Sequence, residues 1–300
     1  MPPLRKLEGI ASKALLALEA HYEREVQAVL KSALDSMRVR LTKLYDKYAK
    51  DGVLSKADMT KYNRLATAEK QLIQTLNPAI IKNLATIKRL RPEQYEAAFF
   101  RYAWAVDNAG GIRIAWGVLN KDVILENIAN EFLKISTKRY GADARLSVRA
   151  ALNEGLSQGK SYQKMARDLK GAIDTTYSRA IRIIRTEGQT AANAGQEDAY
   201  TWARQKGVEL DMIWDATLDG ATRPDHGAAD GQVRDTEGMF TIGGERTPYP
   251  AWEGLTAGQR INCRCRLRAE IDGYAPALRR DRERGVQPYQ TYSEWAKGRA

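Results

Sequence analysis

Cysteine is nearly absent from this chain: 300 residues carry two, Cys263 and Cys265, too few for a disulfide scaffold. Histidine is as scarce, with only His21 and His226. No run of about 18 apolar residues is long enough to span a bilayer, and the start Met1-Pro-Pro-Leu-Arg lacks the apolar core of a signal peptide. The expectation is a chain that stays in the cytosol where it is made. There is no glycine-rich phosphate loop, no strong catalytic motif and no internal repeat. Acidic residues are in deficit, 37 against 48 Lys and Arg, so the net charge is +11 and the pI about 9.5. Such a surplus draws a protein toward polyanions such as nucleic acid or an acidic protein surface. Against these absences stand 43% hydrophobic and 28% charged residues, enough to bury a sizeable core.

Helical periodicity dominates the first half. Apolar residues recur at helical spacing from Leu4 to about Lys50, a helix of about 70 Å if unbroken. Asp51-Gly52 signals a turn, and Ser55 with Asp58 reads as a capping box opening a second helix through Leu65, Leu72 and Leu76. Pro78 and Pro92 fit first-turn positions of new helices. The stretch Ile112–Val118 does not separate strand from loop. Helical patterns return at about 121–139 and 142–154, and Ser161 fits the cap of a helix through Leu169. A long helix is then expected from about Thr176 to Gln205. Its stripe Ile181, Ile184, Gly188, Ala192, Gly195, Ala199 and Trp202 contains two glycines, which implies that another element lies very close to it.

After Gly207 the period changes to two. Leu210, Met212, Trp214, Ala216 and Leu218 alternate with their neighbours as a strand with one buried face. Asp219-Gly220, Asp230-Gly231 and Gly243-Gly244 mark turns, and Ile261 to Leu267 reads as a closing strand. Its parity turns Cys263 and Cys265 toward the core and Asn262, Arg264 and Arg266 away. The fold class expected is α+β: a mainly helical region with long helices over 1–172, then a small α+β domain over 173–275 with a long helix packed on a short antiparallel sheet. A basic, aromatic extension, 276–300, follows.

The run Arg185-Thr-Glu187, then Ala192-Asn193-Ala-Gly195, Trp214 to Asp219, Thr222-Arg223, His226, Asp230-Gly231 and Asn262-Cys263-Arg264-Cys265-Arg266 resembles the phage Mu F-type head morphogenesis domain. With the upstream Glu154 to Ser161 the resemblance covers roughly residues 150–270. It implies a low-copy minor head protein of a tailed bacteriophage, found in the virion head and, during assembly, in the host cytoplasm. It implies as partners the portal protein and procapsid components, and as motif residues Arg185, Glu187, Asn193, Asp219, Arg223, Asp230, Gly231 and Asn262. Members are not established enzymes. Arg185 and Glu187 are expected, from their place in the motif, to orient the loop Asp219–Asp230.

Three chemical readings stand beside the resemblance. His226, Cys263 and Cys265, with Asp219 or Asp230 as fourth ligand, form a candidate zinc site, since two thiolates at i and i+2 of a strand share a face. Alternatively the cysteines fill the core and His226 supports a turn. Asp219, Arg223, His226 and Asp230 read together would make a metal-dependent nuclease or hydrolase, although both Asp-Gly pairs are sound turn dipeptides. The polar stripe Arg182, Arg185, Gln189, Asn193 and Gln196 is a phosphate-contacting face, a solvated face or a local ion-pair set. Weak, non-specific binding of double-stranded DNA is expected from the net charge and the arginines of the tail.

Overall fold

The computed structural model describes residues 4–110, 114–116, 131–271, 279–281 and 285–287. Five helices account for most of them: α1 (Leu4–Tyr48), α2 (Lys56–Thr60), α3 (Arg64–Gly110), α4 (Glu131–Ser157) and α5 (Tyr162–Gln205). After these come β1 (Leu210–Asp215), α6 (Pro224–Ala228), β2 (Phe240–Ile242), β3 (Glu245–Thr247), α7 (Ala257–Arg260) and β4 (Arg266–Ile271). Two short strands, β5 (Arg279–Asp281) and β6 (Gly285–Gln287), pair antiparallel. The fold is α+β, with long helices and small antiparallel sheets. Of the undecided stretch Ile112–Val118 only residues 114–116 are described, and they are neither helix nor strand; the pattern expected at 121–130 and most of the tail lie outside the described residues.

The helical reading of the first half needs correcting at its joints. The capping box at Ser55 forms, with the Asp58 amide donating to Ser55 Oγ at 3.0 Å, but α2 stops at Thr60. Tyr62 and Asn63 then take left-handed backbone, φ 55° and 56°, before α3 begins. Pro78 and Pro92 open no new helices, because α3 runs through both. Each proline removes one helical hydrogen bond. The buried Leu76, Ala79, Ile80, Leu90 and Gln94 around them supply packing that isolated propensity ignores. In the same way α5 is one helix of 44 residues where a break near 172 was expected, so that boundary falls inside a helix.

The chain divides into two compact units that do not follow chain order: residues 1–20, 90–130 and 185–300 form the first, residues 21–89 and 131–184 the second. The second unit is helical. Tyr22, Val26, Leu30, Leu72, Leu76, Tyr140, Val148, Leu152, Met165 and Leu169 are buried within it, and Asn83 donates to the Tyr140 hydroxyl at 2.9 Å.

In the first unit β1 and β4 pair antiparallel, Leu210 opposite Ile271 and Asp215 opposite Arg266. Within β1 the alternation holds except that Ile213 is buried as well, because the segment around Val233 bridges to it, but the strand ends at Asp215 and Leu218, expected on the buried face, is 68% exposed. The hairpin β2–β3 turns through Gly243-Gly244, both at positive φ, as a two-residue turn demands. Trp214, Phe240, Phe99, Tyr102, Trp104 and Tyr200 fill the core. The expected close approach to α5 is real: a Cβ on Gly195 would lie 2.3 Å from the Tyr95 carbonyl oxygen and 3.1 Å from the Ala98 Cβ.

Candidate metal centre

Two segments of the first unit bring its site together. Helix α6 begins at Pro224, which suits a first turn, and presents His226, buried to 2% exposure. The closing segment delivers the sulfurs. It is not a strand from Ile261, as the alternation suggested, since β4 starts at Arg266. Residues 261–265 instead leave α7 through Asn262 in left-handed backbone, φ 55°. The parity survives nonetheless: Cys263, Cys265, Leu267 and Ala269 are buried while Asn262 and Arg264 are exposed.

His226 Nδ1 lies 3.3 Å from Cys265 Sγ and 3.6 Å from Cys263 Sγ, and the three donor atoms all fall within 4.8 Å of one another. Tetrahedral zinc with its usual bond lengths would hold a nitrogen and a sulfur about 3.5 Å apart. The cluster could hold a metal ion. Cys265 is pulled well below the ordinary thiol range, first by the hydrogen bond from Cys263 and then by His226. Cys263 is pushed up by facing that sulfur and by burial.

The His226 tautomer follows from its outer partners. Gln259, on α7, donates its amide Nε2 to Asp225 Oδ2 at 3.1 Å. A carboxylate only accepts, so the Gln259 oxygen must face the ring, 3.0 Å from His226 Nε2. Nε2 therefore donates to Gln259, and Nδ1 is the ring nitrogen that faces the two sulfurs and would ligate a metal. Gln259, Asp225 and the Gly243 that makes room for them escaped the sequence reading. The only local signal was the Gly-Gly turn, and its relation to Gln259 is tertiary.

The carboxylates expected at the site stand elsewhere. Asp219 is exposed, paired with Arg264 at 2.6 Å and accepting the Ala221 amide at 2.9 Å. The Arg264 guanidinium holds its carboxyl far below the usual range. Asp230 accepts the Ala216 amide at 2.8 Å, and the turn ends at Gly231, φ 77°. Arg223 caps α6 and donates to the Ile261 carbonyl. Among the described residues the group gathered closely enough to hold a metal is His226, Cys263 and Cys265, without Asp219 or Asp230.

Helix α5 supports the centre from behind. Gln189, Asn193 and Gln196 are buried, so this part of the polar stripe is neither solvated nor a phosphate face. Gln189 and Asn193 both donate to the Cys265 carbonyl, at 2.9 and 3.1 Å, and Gln196 donates to the Leu267 carbonyl at 2.8 Å. Asn193 also reaches the Pro250 carbonyl at 2.7 Å. Arg185 is exposed, whereas Glu187 is fully buried and accepts from Arg91 and, at 2.9 Å, from Arg260. Glu187 thus anchors α7, which carries Gln259, rather than the loop Asp219–Asp230. Thr186 Oγ1 accepts the Asn262 amide at 3.1 Å.

The segment that builds this centre falls within the stretch that a family model matches. Residues 147–268 match the family described as Phage Mu protein F like protein. The minor head protein of Bacillus phage SPP1 is 28% identical over 284 residues, 92% of this chain and 92% of that protein. An NAD(+)-arginine ADP-ribosyltransferase of Enterococcus faecalis is 27% identical over 293 residues, and the chain spans 59% of its length. No solved structure matches. Over residues 147–268, the stretch that holds His226, Cys263 and Cys265, the chain is similar to the Phage Mu protein F like family.

Proposed function

We infer that this chain is a minor head protein of a tailed bacteriophage, incorporated into the virion head during morphogenesis, docked on the portal protein and procapsid, and in non-specific contact with double-stranded DNA. The observation that carries the reading is the likeness to the SPP1 minor head protein, which covers 92% of both chains. The transferase is matched over only 59% of its length, so a head-protein-like segment within it accounts for that likeness. The protein acts in assembly and not as an enzyme. Mass spectrometry of purified procapsids and virions tests this: the chain should be present with the portal protein, and its absence from both overturns the reading. Incubation with labelled NAD(+) and an arginine-rich acceptor should transfer no label; transfer would make it an ADP-ribosyltransferase.

The metal centre in this reading is a zinc site that ties α6 to the segment before β4. The donor set is suited to zinc, with two thiolates and an imidazole whose other nitrogen is held by Gln259. A recess of about 10 Å³ beside the cluster, lined by Thr217, Thr222, Arg223 and Asn262, has room for one water-sized fourth ligand. Elemental analysis of protein purified without a metal-affinity tag should give one zinc per chain, lost in His226→Ala together with a lower melting temperature. Substoichiometric zinc and an unchanged melt for His226→Ala would leave a packed core in its place.

A further inference from the structure

Positive charge is not spread evenly over the chain. The second unit holds 25 of the 48 Lys and Arg but only 12 of the 37 Asp and Glu, a surplus of 13, which leaves the first unit slightly acidic. The last 25 residues, Pro276–Ala300, account for six Lys and Arg against three Asp and Glu. In the first unit Arg234, Arg246, Arg264 and Arg268 are among the described arginines that pair with a carboxylate. The surplus that reaches solvent belongs to the second unit.

There it lines a groove of about 940 Å³ between the C-terminal part of α1 and the start of α3, with Arg40, Lys43, Lys47, Tyr48, Tyr62 and Arg64 on its walls and no Asp or Glu among its lining residues. Arg40, Lys43 and Lys47 are exposed at i, i+3 and i+7, one stripe of α1. Among the described residues no carboxylate lies within ion-pair distance of these three or of Arg64. The Arg64 guanidinium is held between two rings, 4.6 Å from the Tyr48 centroid and 5.1 Å from that of Tyr62. Tyr62 itself is 87% exposed and stands in left-handed backbone next to Asn63, also left-handed. Two successive non-glycine residues in that region are disfavoured, and such conformations concentrate where function uses them. Past Ser36 the groove continues into a second recess of about 430 Å³ that adds Lys82. From Tyr48 back to Ala28 this path follows α1 for about 30 Å.

We propose that this groove binds the sugar-phosphate backbone of a nucleic-acid strand, the three exposed cations of α1 and Arg64 meeting phosphates and the Tyr62 ring offering a stacking face. Unpaired cations in a row neutralise successive phosphates and release counterions, and a guanidinium already held between aromatic rings loses little freedom on meeting a phosphate. An exposed aromatic among cations is the pattern that suits bases as well as phosphates. The inference rests on the DNA contact proposed above and moves its main site from the tail to this groove.

Fluorescence anisotropy of the full chain with a labelled 30-base-pair duplex of mixed sequence, and with one of its strands, tests it. The triple variant Arg40→Gln, Lys43→Gln, Lys47→Gln changes only exposed side chains, and an unchanged circular dichroism spectrum verifies its fold. It should bind roughly tenfold or more weakly near 0.1 M salt, and the slope of log affinity against log salt should shrink by about 2–3, close to one for each phosphate left without its cation. Deleting Pro276–Ala300 should cost much less. Tyr62→Ala separates the sources: a larger loss for the single strand marks base stacking, an equal small loss marks a duplex backbone. Retained affinity and slope in the triple variant would overturn the groove while leaving the DNA contact standing. Binding of polyglutamate with no binding of either nucleic acid would overturn both.

Discussion

A Cβ placed on Gly243 would lie 2.3 Å from Nε2 of Gln259 and 2.6 Å from Oδ2 of Asp225, with the backbone there at φ 53°. The glycine at the β2–β3 turn is thus the floor under the amide and carboxylate that orient His226. Gly243→Ala should lower the melting temperature and, on the zinc reading, lower the metal content, because Gln259 must give up its place under the imidazole. Gly244→Ala is the control. That glycine also has positive φ, 81°, but nothing within 4 Å, so it should lose only the backbone preference, about 1–2 kcal/mol, and keep its zinc. Equal zinc contents in the two variants would refute the positioning role of Gly243.

Glu187 is the acid between two buried arginines, Arg91 and Arg260. Removing one partner of a buried ion pair leaves an uncompensated charge, at a cost of about 3–5 kcal/mol. Glu187→Gln should lose stability on that scale in urea denaturation. Arg264→Ala, which breaks the exposed pair with Asp219, should lose none that is measurable. The reverse order would show that the buried cluster is not a stabilising anchor.

Glu8 accepts from the Tyr200 hydroxyl and from the Ala269 amide at 2.9 Å, and burial pushes its carboxyl up to about 7 from 4.5. Between those two values the folded chain keeps a proton that the unfolded chain has released. The contribution of Glu8 to stability is therefore fully present below pH 4.5 and is lost as pH rises through 7, by about 3 kcal/mol. Glu8→Gln should flatten this part of the profile, measured as the unfolding free energy at pH 5 and pH 8. An unchanged slope would assign the pH dependence to other groups.

Two helical glycines of α5 should respond in opposite directions. At Gly195 a Cβ meets backbone atoms of α3 that cannot yield, so Gly195→Ala should destabilise by at least about 1–3 kcal/mol. At Gly171 nothing lies within 4 Å, so Gly171→Ala should stabilise by up to about 1 kcal/mol through helix propensity. Thermal melts of the two variants check the pair, and a stabilised Gly195→Ala would contradict the close approach of α3 to α5.

Several features were legible before any coordinates. The inward parity of Cys263 and Cys265, the capping box at Ser55, the turn at Gly243-Gly244 and the glycine-marked contact face of α5 all follow from repeats and steric limits within a few residues of chain. The order of motifs from Arg185 to Cys265 likewise pointed to the family whose model matches residues 147–268. Only the tertiary structure decided that α3 passes through Pro78 and Pro92, that Asp219 pairs with Arg264 instead of joining the metal centre, and that Gln189, Asn193 and Gln196 hold the carbonyls of Cys265 and Leu267. It also supplied Gln259, Asp225 and Gly243 behind His226, and gathered the unpaired cations of α1 beside Tyr62. The division has one physical cause. Backbone geometry and side-chain parity are set by neighbours along the chain, whereas the partner of a polar or charged side chain is whichever group the fold brings within about 3 Å, from any distance in sequence.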